Sequence, residues 1–230
     1  MEQMLINCPS LANSSLMELA EDVKLLYEGG ARWFHVDIMD GHYVPNLCYP
    51  VRAISDLKRK YPDITADIHL MVTDPLAYID RLKAAGADYV SFHADCTPFV
   101  VRSLRAIHDA GMKAGVVINP SQKTDIIEPY LQWLDYVVLM SVEPGFAGQK
   151  FMPEAVPRVA ELSALRERSG HQFLISVDGG INYPNVQPCV RNGANIFITG
   201  IYTVYQQEDG IVSACHRFEE EMKKGLQQIK

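Results

Sequence analysis
Short apolar runs recur along the chain, with polar residues at alternate positions near their ends. Successive side chains of an extended strand face opposite sides, so such runs read as strands whose polar residues share one face. Eight strands are expected, over residues 5–10, 33–38, 65–71, 89–93, 114–118, 136–140, 173–178 and 196–199. Stretches with helical character lie between them, for instance 15–27, 75–85, 99–110, 153–168 and 211–228. Small-residue marks such as Ala85-Gly86-Ala87 and Asn192-Gly193-Ala194 precede strands, and glycine suits the left-handed residue that closes a helix. Strict alternation of strand and helix predicts a parallel sheet, and eight units predict a closed (β/α)8 TIM barrel, one domain over residues 1–230.

Composition narrows the function classes. A formal charge of −7 gives no basic face for nucleic acid. The apolar runs are too short to cross a membrane, and the N-terminus lacks a signal-peptide pattern. Five scattered cysteines without a Cys-x-x-Cys pair suggest a reduced, cytoplasmic chain.

The candidate chemistry sits at the strand ends. In His35-Val36-Asp37-Ile38-Met39, alternation puts a histidine, a carboxylate and a thioether on one face. Asp67-Ile68-His69-Leu70-Met71 repeats the histidine–methionine spacing, and Val177-Asp178 ends another apolar run. Burying these groups is costly unless they are paired or bound to metal, and two histidines with two aspartates form a plausible divalent metal site. Such an ion would acidify the C–H bond beside a ketone and stabilise an enediolate. Asp37 and Asp178, from opposite parts of the barrel mouth, could then remove a proton from one face and return one to the other, inverting one carbon. Met39, Met71 and Met140 could wall the intermediate with polarizable thioethers. Glycine clusters follow the last three strands, at Gly145-Phe146-Ala147-Gly148, Gly179-Gly180 and Gly200-Ile201. The last loops of such a barrel often bind phosphate through backbone amides.

Several segments closely resemble the ribulose-phosphate 3-epimerase family: Cys8-Pro9-Ser10-Leu11, the run from His35 to Asn46, His69-Leu70-Met71-Val72, Pro144 to Gln149, and Val177-Asp178-Gly179-Gly180. The likeness covers essentially the whole chain. It implies a ribulose-phosphate-binding barrel, an isomerase of the pentose phosphate pathway, and a homo-oligomer. It also implies that His35, Asp37, His69 and Asp178 hold one divalent ion (zinc, iron, manganese or cobalt), with Asp37 and Asp178 as the acid/base pair. Ser10 and His69 would contact substrate, the three methionines would wall it, and Gly145, Phe146, Ala147, Gly148, Gly179, Gly180, Gly200 and Ile201 would cradle its phosphate. His93, ending the fourth strand, would support the ligand set.

Two departures bear on the substrate. Cys48-Tyr49-Pro50 replaces the Thr, apolar residue and Gly usual in the pentulose enzymes, and Gly200-Ile201-Tyr202 replaces a Gly-Ser pair and a small residue. The chain also resembles the D-allulose-6-phosphate 3-epimerase branch at Phe146-Ala147-Gly148 and Leu70-Met71-Val72-Thr73. D-ribulose 5-phosphate is therefore the first expectation and D-allulose 6-phosphate the second. Related barrel decarboxylases and aldolases carry an Asp-x-Lys-x-x-Asp element; the matching stretch, Asp67 to Val72, has no lysine. A non-catalytic phosphate-binding barrel would leave costly buried carboxylates unused.

Overall fold
The structure is a computed structural model and describes residues 3–228. Eight parallel strands run in the order β1 (Ile6–Pro9), β8 (Ile196–Thr199), β7 (Leu174–Asp178), β6 (Tyr136–Met140), β5 (Lys113–Ile118), β4 (Tyr89–His93), β3 (Thr65–Met71) and β2 (Trp33–Met39). A parallel bridge between Ser10 and His35 brings the first strand back to the second and closes the ring. The helices are α1 (Leu19–Glu28), α2 (Arg52–Lys60), α3 (Ile79–Ala85), α4 (Val100–Asp109), α5 (Ala155–Ser169), α6 (Tyr183–Arg191) and α7 (Gly210–Gln227).

Alternation along each strand divides the core in two. Phe34, Val36 and Ile38 of β2, Val137 and Leu139 of β6, and Phe197 of β8 pack outward against the helices. Cys8, Tyr136, Val138, Met140, Ile196 and Ile198 fill the barrel interior. His35, Asp37, Asp67 and His69 occupy the inward positions of β2 and β3, and all four are buried. Inward polar residues near the C-terminal strand ends thus converge on one mouth, where barrels of this class place their chemistry.

The expected strands are all present: β3, β4, β6 and β8 have the expected bounds, and the ends of the other four differ by no more than one residue. α1 starts at Leu19 instead of residue 15: residues 16–18 form a turn with Leu16 and Met17 exposed, preceded by a 3-10 turn over residues 11–13 in which the Ser10 hydroxyl accepts from the Ala12 amide. Residues 75–78 form a 3-10 turn ahead of α3, and Gly86 closes that helix at φ +86°. The connection from β5 to β6 is 3-10 (Thr124–Trp133) and kinks at Tyr130, just after Pro129.

Candidate active site
Register builds the site. Parallel pairing of β2 with β3 sets His35 beside Asp67, Asp37 beside His69 and Met39 beside Met71. Pairing of β6 with β7 sets Met140 beside Asp178. Across the mouth, His35 Nε2 lies 3.4 Å from Asp37 Oδ1 and 3.6 Å from Asp178 Oδ2. His69 Nδ1 lies 3.4 Å from each of the same two oxygens.

Neither of these imidazole nitrogens makes a well-formed hydrogen bond, and both are buried. Orphaned buried nitrogens are costly. These two face two carboxylate oxygens, with all four atoms within 4.8 Å of one another. Neutral imidazole nitrogens and carboxylates suit a first-row divalent cation, so the residues present fit one ion. Cys8, His35 and Asp67 also approach one another, but His35 Nδ1 and Asp67 are already joined at 2.7 Å and leave no free donor set there.

Each histidine is fixed from behind. Asp67 takes the His35 Nδ1 contact on one oxygen and the Tyr136 hydroxyl, at 2.8 Å, on the other. His69 Nε2 lies 2.8 Å from His93 Nε2. Ser10 donates its hydroxyl to Asp37 Oδ2 at 2.8 Å. The charges respond to this packing. Burial opposes protonation of His35, yet the charge of Asp37 and the close approach of both Asp37 and Asp67 hold its pKa well above the usual imidazole value. Burial likewise opposes protonation of His69, and the nearby carboxylates of Asp178 and Asp37 overcome it. Burial works against ionisation of Asp37, but the two histidines depress its pKa far below the usual carboxylate range. Burial and the His69 charge push His93 well below the ordinary imidazole value, with hydrogen bonding to the Asn119 side chain acting the other way.

A cleft of about 610 Å³, open mouth included, rises from this cluster. Its walls contain Ser10, Asp37, Asp178 and the three methionines Met39, Met71 and Met140. The residues expected at the phosphate end, Gly145 to Gly148, Gly179, Gly180, Gly200 and Ile201, line the same cleft. His35 and His69 lie beneath the surface, at the base. Backbone crowds Gly180, and the Asn13 side chain crowds Gly200. A Cβ on Gly180, whose φ is +61°, would fall 2.4 Å from the Phe151 amide nitrogen, and one on Gly200 would fall 2.7 Å from Asn13 Oδ1. Among the described residues the amides of Gly180 and Ile201 have no acceptor, whereas the Gly200 amide donates to the Thr203 hydroxyl at 3.2 Å.

Sequence reasoning left several residues out of the site. Tyr136 carries no local motif; its part depends on Asp67 lying across the barrel. Asp67 does share the inward face of β3 with His69, a spacing of two that could have flagged it. Gln149 braces the loop after β6 by donating to the carbonyls of Glu143 and Phe146. Asn46, from the loop after β2, donates to the Gly145 carbonyl, and the Tyr202 hydroxyl donates to the Gly148 carbonyl at 2.9 Å. Asp40, in the conspicuous run after β2, serves the backbone: it accepts from the amides of His42, Tyr43 and Thr73. Burial opposes its ionisation, but these bonds lower its pKa to about 2.

Comparison with known proteins gives a consistent result. The model of the "Ribulose-phosphate 3 epimerase family" matches residues 6–204. The chain is 38% identical over 203 residues to "Ribulose-phosphate 3-epimerase" of Bacillus subtilis (strain 168), covering 87% of this chain and 92% of that protein. It is 38% identical over 192 residues to the protein of the same name from Aquifex aeolicus (strain VF5), covering 84% of this chain and 86% of the relative. Among solved structures, 3-hexulose-6-phosphate synthase from Salmonella typhimurium superposes with a TM-score of 0.70 at 18% identity, over 98% of this chain and 100% of the other. That likeness is one of fold. No described helix is long and apolar enough to cross a membrane.

Proposed function
The chain belongs to the ribulose-phosphate 3-epimerase family of isomerases, which act on phosphorylated ketoses, and from that premise we propose that it inverts C3 of D-ribulose 5-phosphate to give D-xylulose 5-phosphate, with Asp37 and Asp178 as the acid/base pair. The observation that carries this reading is the placing of two carboxylates from β2 and β7 at one cluster, each within 3.6 Å of both buried histidines. His35, Asp37, His69 and Asp178 would hold one divalent ion of zinc, iron, manganese or cobalt. Such an ion supplies positive charge that acidifies the C3–H bond and stabilises negative charge on the adjoining oxygens.

The chain's own residues do the rest. One aspartate, ionised, takes the C3 proton from one face of the sugar, and the other, protonated, returns a proton to the opposite face. The two must therefore hold opposite protonation states, and they exchange roles in the reverse direction. Ser10 holds Asp37 in place by donating to its outer oxygen and lies close enough to reach substrate oxygens. Met39, Met71 and Met140 keep water from the enediolate without offering hard oxygen donors. The amides of Gly180 and Ile201, with the loop from Gly145 to Gly148, receive the phosphate. Tyr202, fastened to Gly148, lines the cleft at that end.

Asp37→Asn and Asp178→Asn test the pair. Each should lower turnover by about 10²- to 10⁴-fold, the usual size of a general acid–base contribution, while substrate still binds. Wild-type rates in both variants would contradict the mechanism. A cytoplasmic setting and a homo-oligomeric assembly go with this reading, and sedimentation of the purified chain tests the second.

A further inference from the structure
We propose that Asn13, in the turn after β1, is a substrate-binding residue whose side-chain amide donates to the phosphorylated end of the ketose. This role rests on the reading above, in which the phosphate lies beside Gly200 and Ile201.

No lysine or arginine lines the cleft among the described residues, so a phosphate there depends on neutral donors. Four uncharged polar side chains stand in its walls: Ser10, Asn13, Gln149 and Tyr202. Three are committed elsewhere. Ser10 donates to Asp37 at 2.8 Å, and the Tyr202 hydroxyl donates to the Gly148 carbonyl at 2.9 Å. Gln149 gives its amide hydrogens to the carbonyls of Glu143 and Phe146, at 2.6 and 3.0 Å. Asn13 is the exception. Its Nδ2 makes one long contact, 3.4 Å, to the Ser10 carbonyl. A carbonyl only accepts, which fixes the nitrogen on that side and uses one of its two hydrogens. The second hydrogen has no protein acceptor among the described residues.

The Asn13 side chain is placed from two directions. Its own backbone amide donates to the Ser10 carbonyl at 3.3 Å, closing the 3-10 turn. On the other side, its Oδ1, Cγ and Nδ2 would lie 2.7, 2.9 and 3.0 Å from a Cβ on Gly200. The carboxamide therefore rests against the Gly200 backbone, in space that only glycine leaves open there. That backbone is itself held, because the Gly200 carbonyl accepts from the amides of Thr203, Val204 and Tyr205.

The turn joins the two ends of the proposed substrate. Ser10 touches Asp37 at the reacting end, and Asn13 touches Gly200 at the phosphate end. Three residues of 3-10 turn advance ~6 Å, comparable with the reach from C3 to the phosphorus of a ketose 5-phosphate. The uncommitted N–H of Asn13 thus stands beside the Ile201 amide, where an ester or phosphate oxygen would accept from both.

The test compares Asn13→Leu and Asn13→Asp with the wild type, all metal-loaded and shown to be folded by circular dichroism. Leucine keeps the branched shape against Gly200 and donates nothing. Aspartate keeps the shape and replaces the donor with a charged oxygen. KM for D-ribulose 5-phosphate should rise about tenfold or more in Asn13→Leu, the loss of one hydrogen bond to a charged group. It should rise about 100-fold in Asn13→Asp, which sets like charges together. In both variants kcat should hold, because the acid/base pair is untouched. Equal KM in the wild type and Asn13→Leu would overturn the proposal, as would a fall in kcat at constant KM. Calorimetry with D-ribitol 5-phosphate and with ribitol, neither of which has a ketone to react, reads binding without turnover. The phosphorylated polyol should lose affinity by the same factors and the plain polyol should not; equal losses on both would assign Asn13 to packing and overturn it. No turnover of D-ribulose 5-phosphate by the wild type would contradict the substrate reading alone, and affinity for D-ribitol 5-phosphate still decides Asn13. No binding of D-ribitol 5-phosphate by the wild type would overturn the proposal as well.

Discussion
His35 Nδ1 and Asp67 Oδ2 meet at 2.7 Å inside the barrel, with both side chains fully buried, and the Tyr136 hydroxyl occupies the second Asp67 oxygen. Asp67 therefore needs two accepting oxygens, and an amide offers one. Asp67→Asn must point its NH₂ group at one of the two donors. The expected outcome is a loss of about 1–3 kcal/mol of stability by urea denaturation, from a buried group left unsatisfied. Metal affinity should fall by about 10- to 100-fold as His35 loses its orientation. Tyr136→Phe removes one donor and leaves His35 held, so its effect on metal affinity should be clearly smaller.

The pKa shifts fix a pH dependence for the metal-free protein. His35 and His69 are raised above the ordinary 6.5, so their contribution is complete below that pH and is lost as pH rises through the raised values. Asp37 is depressed, so its contribution is complete above the ordinary 3.8 and is lost as pH falls. The metal-free chain should be most stable between these limits. A divalent ion displaces the imidazole protons, so apparent metal affinity should rise with pH through the raised imidazole range. Thermal denaturation across pH with and without Zn²⁺ checks both: the zinc-dependent gain in Tm should grow toward alkaline pH.

Gly180 tests the phosphate end. An alanine there must hold φ near +61° and drive a Cβ against the Phe151 nitrogen and the Gln149 carbonyl. The backbone would shift and take the Gly180 amide with it. KM for a phosphorylated ketose should rise about tenfold or more in Gly180→Ala, on the scale of one lost hydrogen bond to a charged group, ~1.5–3 kcal/mol. Turnover of the unphosphorylated ketose, weak to begin with, should change little by comparison.

The Tyr202 hydroxyl ties the loop after β8 to the Gly148 carbonyl. Tyr202→Phe keeps the ring and removes the tie. The loop would then sample more positions, and KM should rise by about 2- to 10-fold, the equivalent of one hydrogen bond at ~0.5–1.5 kcal/mol. Because the acid/base pair is untouched, kcat should hold. A fall in kcat with constant KM would show that the tie serves the chemistry instead.

The four candidate ligands are legible in the sequence because strand alternation is a local property: His35 and Asp37 lie two apart, and an apolar strand can place both only inward. The proposed phosphate end is legible from glycine clusters following consecutive strands, and those glycines do line one cleft. What depends on partners distant in sequence is not. Tyr136 reaches Asp67 across the interior, 69 residues away in sequence, and no local pattern announces that contact. Helix α6 is hidden by Pro184 and Pro188, residues that usually argue against a helix, yet Asn182 and Asn185 cap its start reciprocally and Pro184 lies in its first turn. The apolar pattern puts the start of α1 too early, because Leu16 and Met17 continue it but are exposed in the turn before the helix.

The most direct measurement is proton NMR of the metal-loaded enzyme in deuterated water with D-ribulose 5-phosphate and, separately, with D-allulose 6-phosphate. Deuterium should enter C3 as the C3 epimer forms, with the five-carbon sugar turning over faster. Faster exchange with D-allulose 6-phosphate would move the substrate to the six-carbon sugar and leave the chemistry intact. Epimer formed without solvent deuterium at C3, or no reaction with either sugar, would contradict proton exchange by Asp37 and Asp178 as the basis of this site.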